Sequence, residues 1–455
     1  MRITAIATIK SLKDRFTILL TNWSKRLYGI IFKEQMTEDA ETFLKNLLFV
    51  GIGTSVSTLL STIFLILGGR LLGPNEYGKF ILIQSVVNFL YLPMLFGFNI
   101  GVLKYTSEKS DLQYQFNVLA ISYIGVFLLT ILSIAIYVKF SSVFSHFFGI
   151  SPDLFYTAIV FAVLYTFYTL TASALRGLNR MKAYSIFQIV YAVILLFSFF
   201  YFIIIKQLSF RAMVYPMLLA YGITTITIII FIQRIVGIFK RIFDITLAKM
   251  LGKYAVATFI GGSSYIIYTN IDRIMLARYR SLSEVGFYSA YYAGSINIAM
   301  LIWGMFILVF FPTVSRYKNK GPVFKKINRV IPYLVVLGIP SLLVCEFIVL
   351  KFYGKQYQLN IISMLLFAVT SIFMVIQGTY ASLLNSIGTR GAIISSLTAI
   401  IAALVNIGLN LVLIPAFGIN GAIISLMTSY SAALIVILLF GRKHLKDDKL
   451  ITIGE

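Results

Sequence analysis

What most constrains this chain is a succession of apolar runs, each of about 20 residues, the length an α-helix needs to cross a bilayer core. They fall near 46 to 72, 78 to 104, 115 to 138, 155 to 175, 184 to 205, 213 to 233, 254 to 277, 286 to 312, 330 to 350, 360 to 386, 392 to 414 and 419 to 441. Twelve such runs consume nearly all of the 455 residues and predict an all-α integral membrane protein. The bulk numbers agree, with 59% hydrophobic residues and a mean hydropathy of +0.91.

A formal net charge of +23 would suggest a nucleic-acid partner in a soluble protein, so the placement of the 39 Lys and Arg decides its meaning. Threaded through twelve spans, 29 of them fall on the side that holds both termini. That asymmetry is the cytoplasmic excess of a multi-pass membrane protein, so both termini are expected in the cytoplasm, in the cell membrane, with no nucleic acid as partner. A single cysteine, Cys345, and two distant histidines, His146 and His444, provide neither a disulfide framework nor a Cys/His metal site.

The expected divisions are a basic N-terminal segment over 1–45, an N-terminal lobe of six helices over 46–234, and an amphipathic linker over 235–253. A second six-helix lobe over 254–441 and a cytoplasmic tail over 442–455 complete the chain. The N-terminal segment reads either as a basic amphipathic helix on the inner leaflet or as sequence preceding a true start at Met36. In the linker, Ile235, Ile238, Phe239, Ile242 and Ile245 share one helical face.

The two lobes look like copies. RLLGPNEYGKF from Arg70 returns 208 residues later as RYRSLSEVGFY from Arg278, pairing Gly53, Ser55, Arg70, Glu76 and Gly78 with Gly261, Ser263, Arg278, Glu284 and Gly286. Asn75 meets Ser283, and both are expected to cap the helix that follows; Gly78 and Gly286 are expected to permit close helix packing. Further on the offset becomes 209, where Leu175, Ala183 and Tyr221 meet Leu384, Ala392 and Tyr430. An even number of helices per copy makes the repeat parallel, related by a pseudo-two-fold axis along the membrane normal, and such proteins carry cargo between their halves.

Ionisable residues inside the spans are few. Asp272 and Arg273 lie toward the outer end of helix seven, and Glu346 lies in the outer part of helix nine. Asp272 reads as an ion-pair partner for a rim arginine or as a coupling-ion site, with Glu346 as a second ion-coupling or gating position. Arg70, Arg273 and Arg278 near the outer rim, with Lys104 and Arg176 at the inner ends of helices two and four, read as anion contacts or as ordinary headgroup anchors. Neutral amides on helix faces, among them Asn88, Asn99, Asn270, Asn297, Asn406 and Asn410, together with clustered tyrosines, suit a sugar or serve as helix glue. Pro93 and Pro340 are expected to bend their helices.

Several stretches carry a family resemblance: LGPNEYGKF, DRIMLARY running into EVGFYSAYYAG, FFPTVSR, and NIGLNLVLIPAFGINGAIIS. They resemble the Wzx-type polysaccharide flippases of the multidrug, oligosaccharidyl-lipid and polysaccharide exporter superfamily, from about Phe43 to Phe440. The resemblance implies two six-helix lobes around a central cavity, alternating access, and a polyprenyl-pyrophosphate-linked oligosaccharide as cargo. It implies no enzyme activity and no cofactor beyond a coupling H+ or Na+. Membrane lipids and a glycan polymerase or ligase are the expected partners. It also implies cationic residues for the pyrophosphate, for which Arg70, Lys104, Arg176, Arg273 and Arg278 are the positions available, with Asn99, Asn270 and Asn297 for the sugar. A cation-coupled drug antiporter of the same superfamily and a lipid II flippase are the alternatives.

Overall fold

The computed structural model describes residues 38–237, 244–316 and 319–441, which form helices and short connections without a strand. Residues 1–37 of the N-terminal segment, 238–243 of the linker and the tail 442–455 lie outside the described residues. In chain order the helices are α1 Glu38–Leu95, α2 Phe98–Glu108, α3 Leu112–Lys139, α4 Ser141–Phe148, α5 Pro152–Gly177, α6 Met181–Ile204 and α7 Arg211–Val236. The second half contributes α8 Ile245–Tyr279, α9 Leu282–Gly294, α10 Ile296–Arg316, α11 Gly321–Tyr353, α12 Ile361–Asn385, α13 Thr389–Phe417 and α14 Ile419–Val436.

Ten stretches among the described residues are long and apolar enough to cross a membrane, against twelve expected. One of them, Gly53–Leu95, has 43 residues, about 65 Å of helix and twice a bilayer core. It is two spans joined at Gly73, whose φ of 80° and ψ of 169° interrupt the helix, with Pro74 following. The twelfth is α8, 35 residues long but less apolar because Gly261, Gly262, Ser263, Ser264, Thr269 and Asn270 interrupt the stretch between Lys253 and Asp272. Apolar side chains such as Phe197, Ile204 and Val336 stay well exposed on the outside of the bundle, the pattern of a surface made for lipid tails. The protein is a multi-pass membrane protein.

Two bends follow different rules. Helix α1 ends two residues after Pro93, where Phe96 and Gly97 turn left-handed before α2 begins. Pro340, by contrast, sits inside an uninterrupted α11. The capping expectation needs correction. Ser281, not Ser283, is the N-cap of α9 and accepts from the Glu284 N–H at 3.2 Å, while Asn75 lies within helix immediately after the Gly73 break. Glu76 anchors a neighbour instead, with one oxygen taking the Lys79 ammonium at 2.5 Å and the other the Phe210 N–H at 2.9 Å. Sequence patterning also gave no sign of α4, an eight-residue helix at the rim closed by Gly149.

The repeated turns explain their own glycines. Helices α1 and α9 pack directly on each other where the lobes cross. A Cβ on Gly78 would lie 1.8 Å from the Leu282 carbonyl oxygen, and a Cβ on Gly286 would lie 2.1 Å from that of Pro74. Pro74 and Leu282 are themselves separated by the repeat offset, so the crossing is a two-fold contact of one motif with its own copy. Small residues here allow backbone to meet backbone. Close packing was expected of these glycines, and it joins the two lobes.

Below this crossing the lobes share one continuous seam. Asn88 of α1 donates to Asn270 of α8 at 3.0 Å near the middle. Toward the end opposite the crossing, the Thr258 hydroxyl donates to the Gly97 carbonyl at 3.3 Å, and Phe96 stacks on Phe259 with centroids 4.5 Å apart. The pseudo-symmetric seam, between α1 and α10, is barely in contact. Of these two helices, α1 exposes Val56, Leu59 and Ile63 and α10 exposes Ile302, Met305 and Phe306, each set at helical spacing.

Candidate functional site

Directly under the turn crossing lies a tyrosine-lined junction of the two lobes. Tyr77 and Tyr353, both almost fully buried, share a hydrogen bond of 2.9 Å between their hydroxyls, and Tyr357 donates to the Gly69 carbonyl at 3.1 Å. Each contact ties the N-terminal lobe to the end of α11 or the loop after it. The next cation along is Arg273. Its guanidinium lies 4.4 Å from the Tyr292 ring centroid and 5.7 Å from that of Tyr288, and Nη1 donates to the Thr269 carbonyl of its own helix at 2.8 Å. Six residues, about 9 Å, separate it from the end of α8, so this half-buried charge lies within the span. Held on ring faces, it keeps guanidinium donors for an anion, and a planar fork suits phosphate oxygens.

The neighbouring residue belongs to a different site. Consecutive helical residues diverge by about 100°, so Asp272 points away from Arg273 and into the C-terminal lobe. It is 1% exposed. Its carboxylate accepts from the Tyr288 hydroxyl at 2.7 Å and from the Asn410 amide at 2.6 Å, and that amide also reaches Asn406 Oδ1 at 3.1 Å. The expected ion pair is therefore absent among the described residues, and neutral donors occupy its place. Asn410 Oδ1 and Asn406 Nδ2 are buried with no partner among the described residues. The carboxylate and the open Asn410 Oδ1 are oxygen acceptors of the kind a small hard cation takes, whereas Asn406 Nδ2 is a donor. Among the described residues no cluster of three or more His, Cys, Asp or Glu exists that would hold a transition metal.

The other expected residues are scattered. Arg70 and Arg278 are exposed at the turn end; the Arg70 stem lies 3.6 Å from where a Gly354 Cβ would be, and Arg278 donates to Phe147 of the rim helix at 3.4 Å. They serve the rim and do not join Arg273. Lys104 and Arg176 lie at the opposite end of the N-terminal lobe, where α2 and α5 approach closely at Gly177. The Lys104 ammonium lies over the Tyr254 ring at 4.4 Å, and Arg176 donates to Ser173 at 3.0 Å while its Nε is buried without a partner among the described residues. Asn270 lies on the seam, Asn99 is half-buried on α2, and Asn297 is exposed on α10. Glu346 is fully buried in the C-terminal lobe.

The tyrosines form one cluster per lobe. Tyr221 packs its ring 5.4, 4.8 and 4.8 Å from Tyr165, Tyr168 and Tyr191, and its repeat partner Tyr430 packs at 5.8 Å from Tyr268. Tyr77, Tyr288 and Tyr353, the tyrosines that organise the junction, were not singled out by sequence. Nothing short of the fold brings Tyr77 near a residue 276 positions away. Asn406 and Asn410 carried a readable signal, since a spacing of four puts both on one face of α13.

The described residues thus build a two-lobed, pseudo-symmetric membrane bundle with a polar junction under a glycine crossing. The family model for polysaccharide biosynthesis proteins matches residues 43–318. The chain belongs to that family. No curated protein matches it. Among solved structures it is similar to the lipid II flippase MurJ in an inward closed conformation, at 16% identity and a TM-score of 0.65, covering 86% of this chain and 87% of that one. It is also similar to a multidrug resistance MATE transporter of the MOP superfamily in its inward-facing conformation, at 14% identity and a TM-score of 0.66 over 86% and 94% of the two chains. An outward-facing structure of a MATE transporter matches at 13% identity with a TM-score of 0.59, over 88% and 95%. These likenesses establish the fold of the MOP superfamily.

Proposed function

We propose that this protein carries a polyprenyl-pyrophosphate-linked oligosaccharide from the cytoplasmic to the outer leaflet by alternating access. In this reading the turn end faces outward and both termini face the cytoplasm of a cell-membrane protein, an orientation the charge asymmetry supports. The observation that carries it is Arg273, a tyrosine-cradled cation within the span, beneath a turn crossing that closes the outer end. The loosely packed α1–α10 seam supplies the lipid's way in, because a polyprenyl tail has to remain in hydrocarbon while its headgroup enters the protein. Lys104 and Arg176 draw the anionic headgroup toward the inner end, Arg273 receives the pyrophosphate, and Asn88 and Asn270 offer amides to the glycan once the seam parts. Opening of the outer crossing then releases the cargo.

Asp272, Asn406 and Asn410 would hold a coupling Na+ or H+, whose binding energy biases the lobes between their two arrangements. Their fit rests on Asn410 Oδ1, a buried acceptor beside the carboxylate with no partner among the described residues. The same site also favours a second reading, a cation-coupled antiporter with a different cargo. Binding discriminates the two. The purified protein in nanodiscs is titrated with undecaprenyl pyrophosphate and with neutral undecaprenol. Preference for the pyrophosphate that disappears in Arg273→Ala supports the flippase; equal binding of both lipids by the wild type removes it and leaves the antiporter.

A further inference from the structure

The turn end of the C-terminal lobe holds a cavity whose lining includes neither Arg273 nor Asp272. It is open on one side, has a volume of about 200 Å³, and lies where the α8–α9 turn, the loop before α12 and the α13–α14 turn meet. Its walls are fixed by their own hydrogen bonds. The Tyr291 hydroxyl donates to the Gln358 carbonyl at 2.6 Å and accepts the Asn360 N–H at 2.8 Å, while its ring lies parallel to that of Phe367 with centroids 5.8 Å apart. Asn360 Oδ1 caps α12 by accepting from the N–H groups of Ile362 and Ser363 at 2.9 and 3.1 Å. The Ser363 hydroxyl in turn donates to Asn420 Oδ1 of α14 at 2.8 Å. A cavity tied together in this way is formed before any ligand enters it.

The chemistry of the lining selects the ligand. Arg280 Nε lies 3.1 Å from Glu284 Oε1, so the two charges in the lining cancel. Glu284 Oε2 also sits at the start of α14, which no side chain caps: a Cβ on Gly418 would lie 2.7 Å from that oxygen. The negative charge that a helix start attracts is therefore already in place, and an incoming anion would meet a carboxylate. An incoming cation would meet Arg280 and amide donors. Neutral hydrogen bonding is what the cavity offers. With their oxygens engaged, Asn360 and Asn420 present amide N–H groups, Arg280 keeps its terminal N–H groups, and Glu284 accepts. Phe287 and Phe417 add aromatic carbon to the lining, and Phe417 is 62% exposed. A pyranose has the matching surfaces, hydroxyls around its edge and C–H bonds on its faces. At about 200 Å³ the cavity is smaller than the 300–1,000 Å³ or so of pockets for drug-sized ligands, which suits one ring rather than a chain of them.

We propose that this cavity binds a single neutral sugar residue at the turn end, apart from the path between the lobes. Arg280 and Glu284 take adjacent hydroxyls as a donor and acceptor pair, the Asn420 amide takes a third, and Phe417 packs on the C–H face of the ring. The site lies within one lobe, so the inference holds whatever cargo passes between the two. It gives the turn end a grip on carbohydrate that does not depend on a lipid pyrophosphate.

Saturation-transfer NMR of the full-length protein in nanodiscs tests the assignment, with methyl β-D-glucopyranoside, methyl β-D-galactopyranoside and N-acetyl-D-glucosamine titrated in turn. The expected result is saturable transfer to the ring C–H protons of at least one of these sugars, undisturbed by inorganic phosphate. Phe417→Ser and Asn420→Ala should each weaken that binding roughly fivefold, the scale of one lost contact. Phe417 is well exposed, so its substitution decides the matter should Asn420→Ala not fold. Arg273→Ala should leave sugar binding unchanged, which separates this site from the cargo junction and keeps a failure of one reading distinct from a failure of the other. No saturable transfer to any of the three sugars, displacement by phosphate, transfer that survives Phe417→Ser undiminished, or transfer lost in Arg273→Ala overturns the inference.

Discussion

Alanine at Gly78 tests the turn crossing with a single methyl group. Its Cβ would lie 1.8 Å from the Leu282 carbonyl oxygen and 2.8 Å from the carbonyl carbon, both backbone atoms that cannot rotate aside. Relief requires the two lobes to separate there by more than 1 Å, about the shortfall from an ordinary carbon–oxygen contact. Overpacking of this kind costs about 1–3 kcal/mol, and all of it falls on the conformation in which the turns touch. Taking about 2 kcal/mol, the closed-to-open ratio at this end drops roughly 30-fold, since about 1.4 kcal/mol is tenfold. Gly286→Ala, meeting Pro74 at 2.1 Å, does the same to the same contact. The two substitutions should then be strongly sub-additive, because once the crossing is open the second methyl group meets nothing. Spin labels at the exposed Leu71 and Tyr279, in a Cys345→Ser background, report the separation. Gly304→Ala, where a Cβ meets nothing within 4 Å, is the control. A Gly78→Ala distribution identical to that of the control, or full additivity in the double variant, would refute the reasoning.

Other consequences can be measured in the same preparation. Arg273→Lys should lose at least tenfold in affinity for undecaprenyl pyrophosphate although it keeps the charge, because an ammonium neither stacks between Tyr288 and Tyr292 nor forks onto phosphate oxygens; isothermal titration reads the loss. Asp272→Asn and Asn410→Ala should each abolish the dependence of transport on a Na+ or proton gradient while sparing lipid binding, seen as equal uptake with and without the gradient. Tyr77→Phe leaves the Tyr353 hydroxyl buried alone and should lower thermal stability by about 1 kcal/mol, whereas the Tyr77→Phe/Tyr353→Phe pair should recover most of it in a double-mutant cycle.

The helices were legible because a bilayer demands long apolar runs, and α8 was recognisable despite Asp272 and Arg273 because the runs on either side fixed its place. The duplication was legible too, since Gly78 and Gly286 stand at one offset with Glu76 and Glu284. What those glycines do was not, because a one-dimensional repeat is silent on whether its copies face away from each other or touch. The site shows the same limit. Asp272 and Arg273 announce themselves as intramembrane charges, but their separation into two sites follows from helix geometry plus the placement of α13 and α9, which depends on contacts between residues more than a hundred positions apart. Arg70 and Arg278 look equal to Arg273 by charge and end up on the rim. Ser281 capped α9 in place of Ser283 because the backbone leaves helical geometry at Arg280, a boundary within the usual error of two residues.

The central claim is movement of a lipid-linked glycan between leaflets, and a leaflet-accessibility assay tests it most directly. Proteoliposomes carry an undecaprenyl-pyrophosphate oligosaccharide, and a membrane-impermeant glycosidase is added outside. Protein-free vesicles yield the outer half of the glycan and stop; the account predicts complete digestion when the wild-type protein is present and slow or halted digestion with Arg273→Ala. Digestion that stops at half with wild-type protein, whatever ion gradient is imposed, would contradict it.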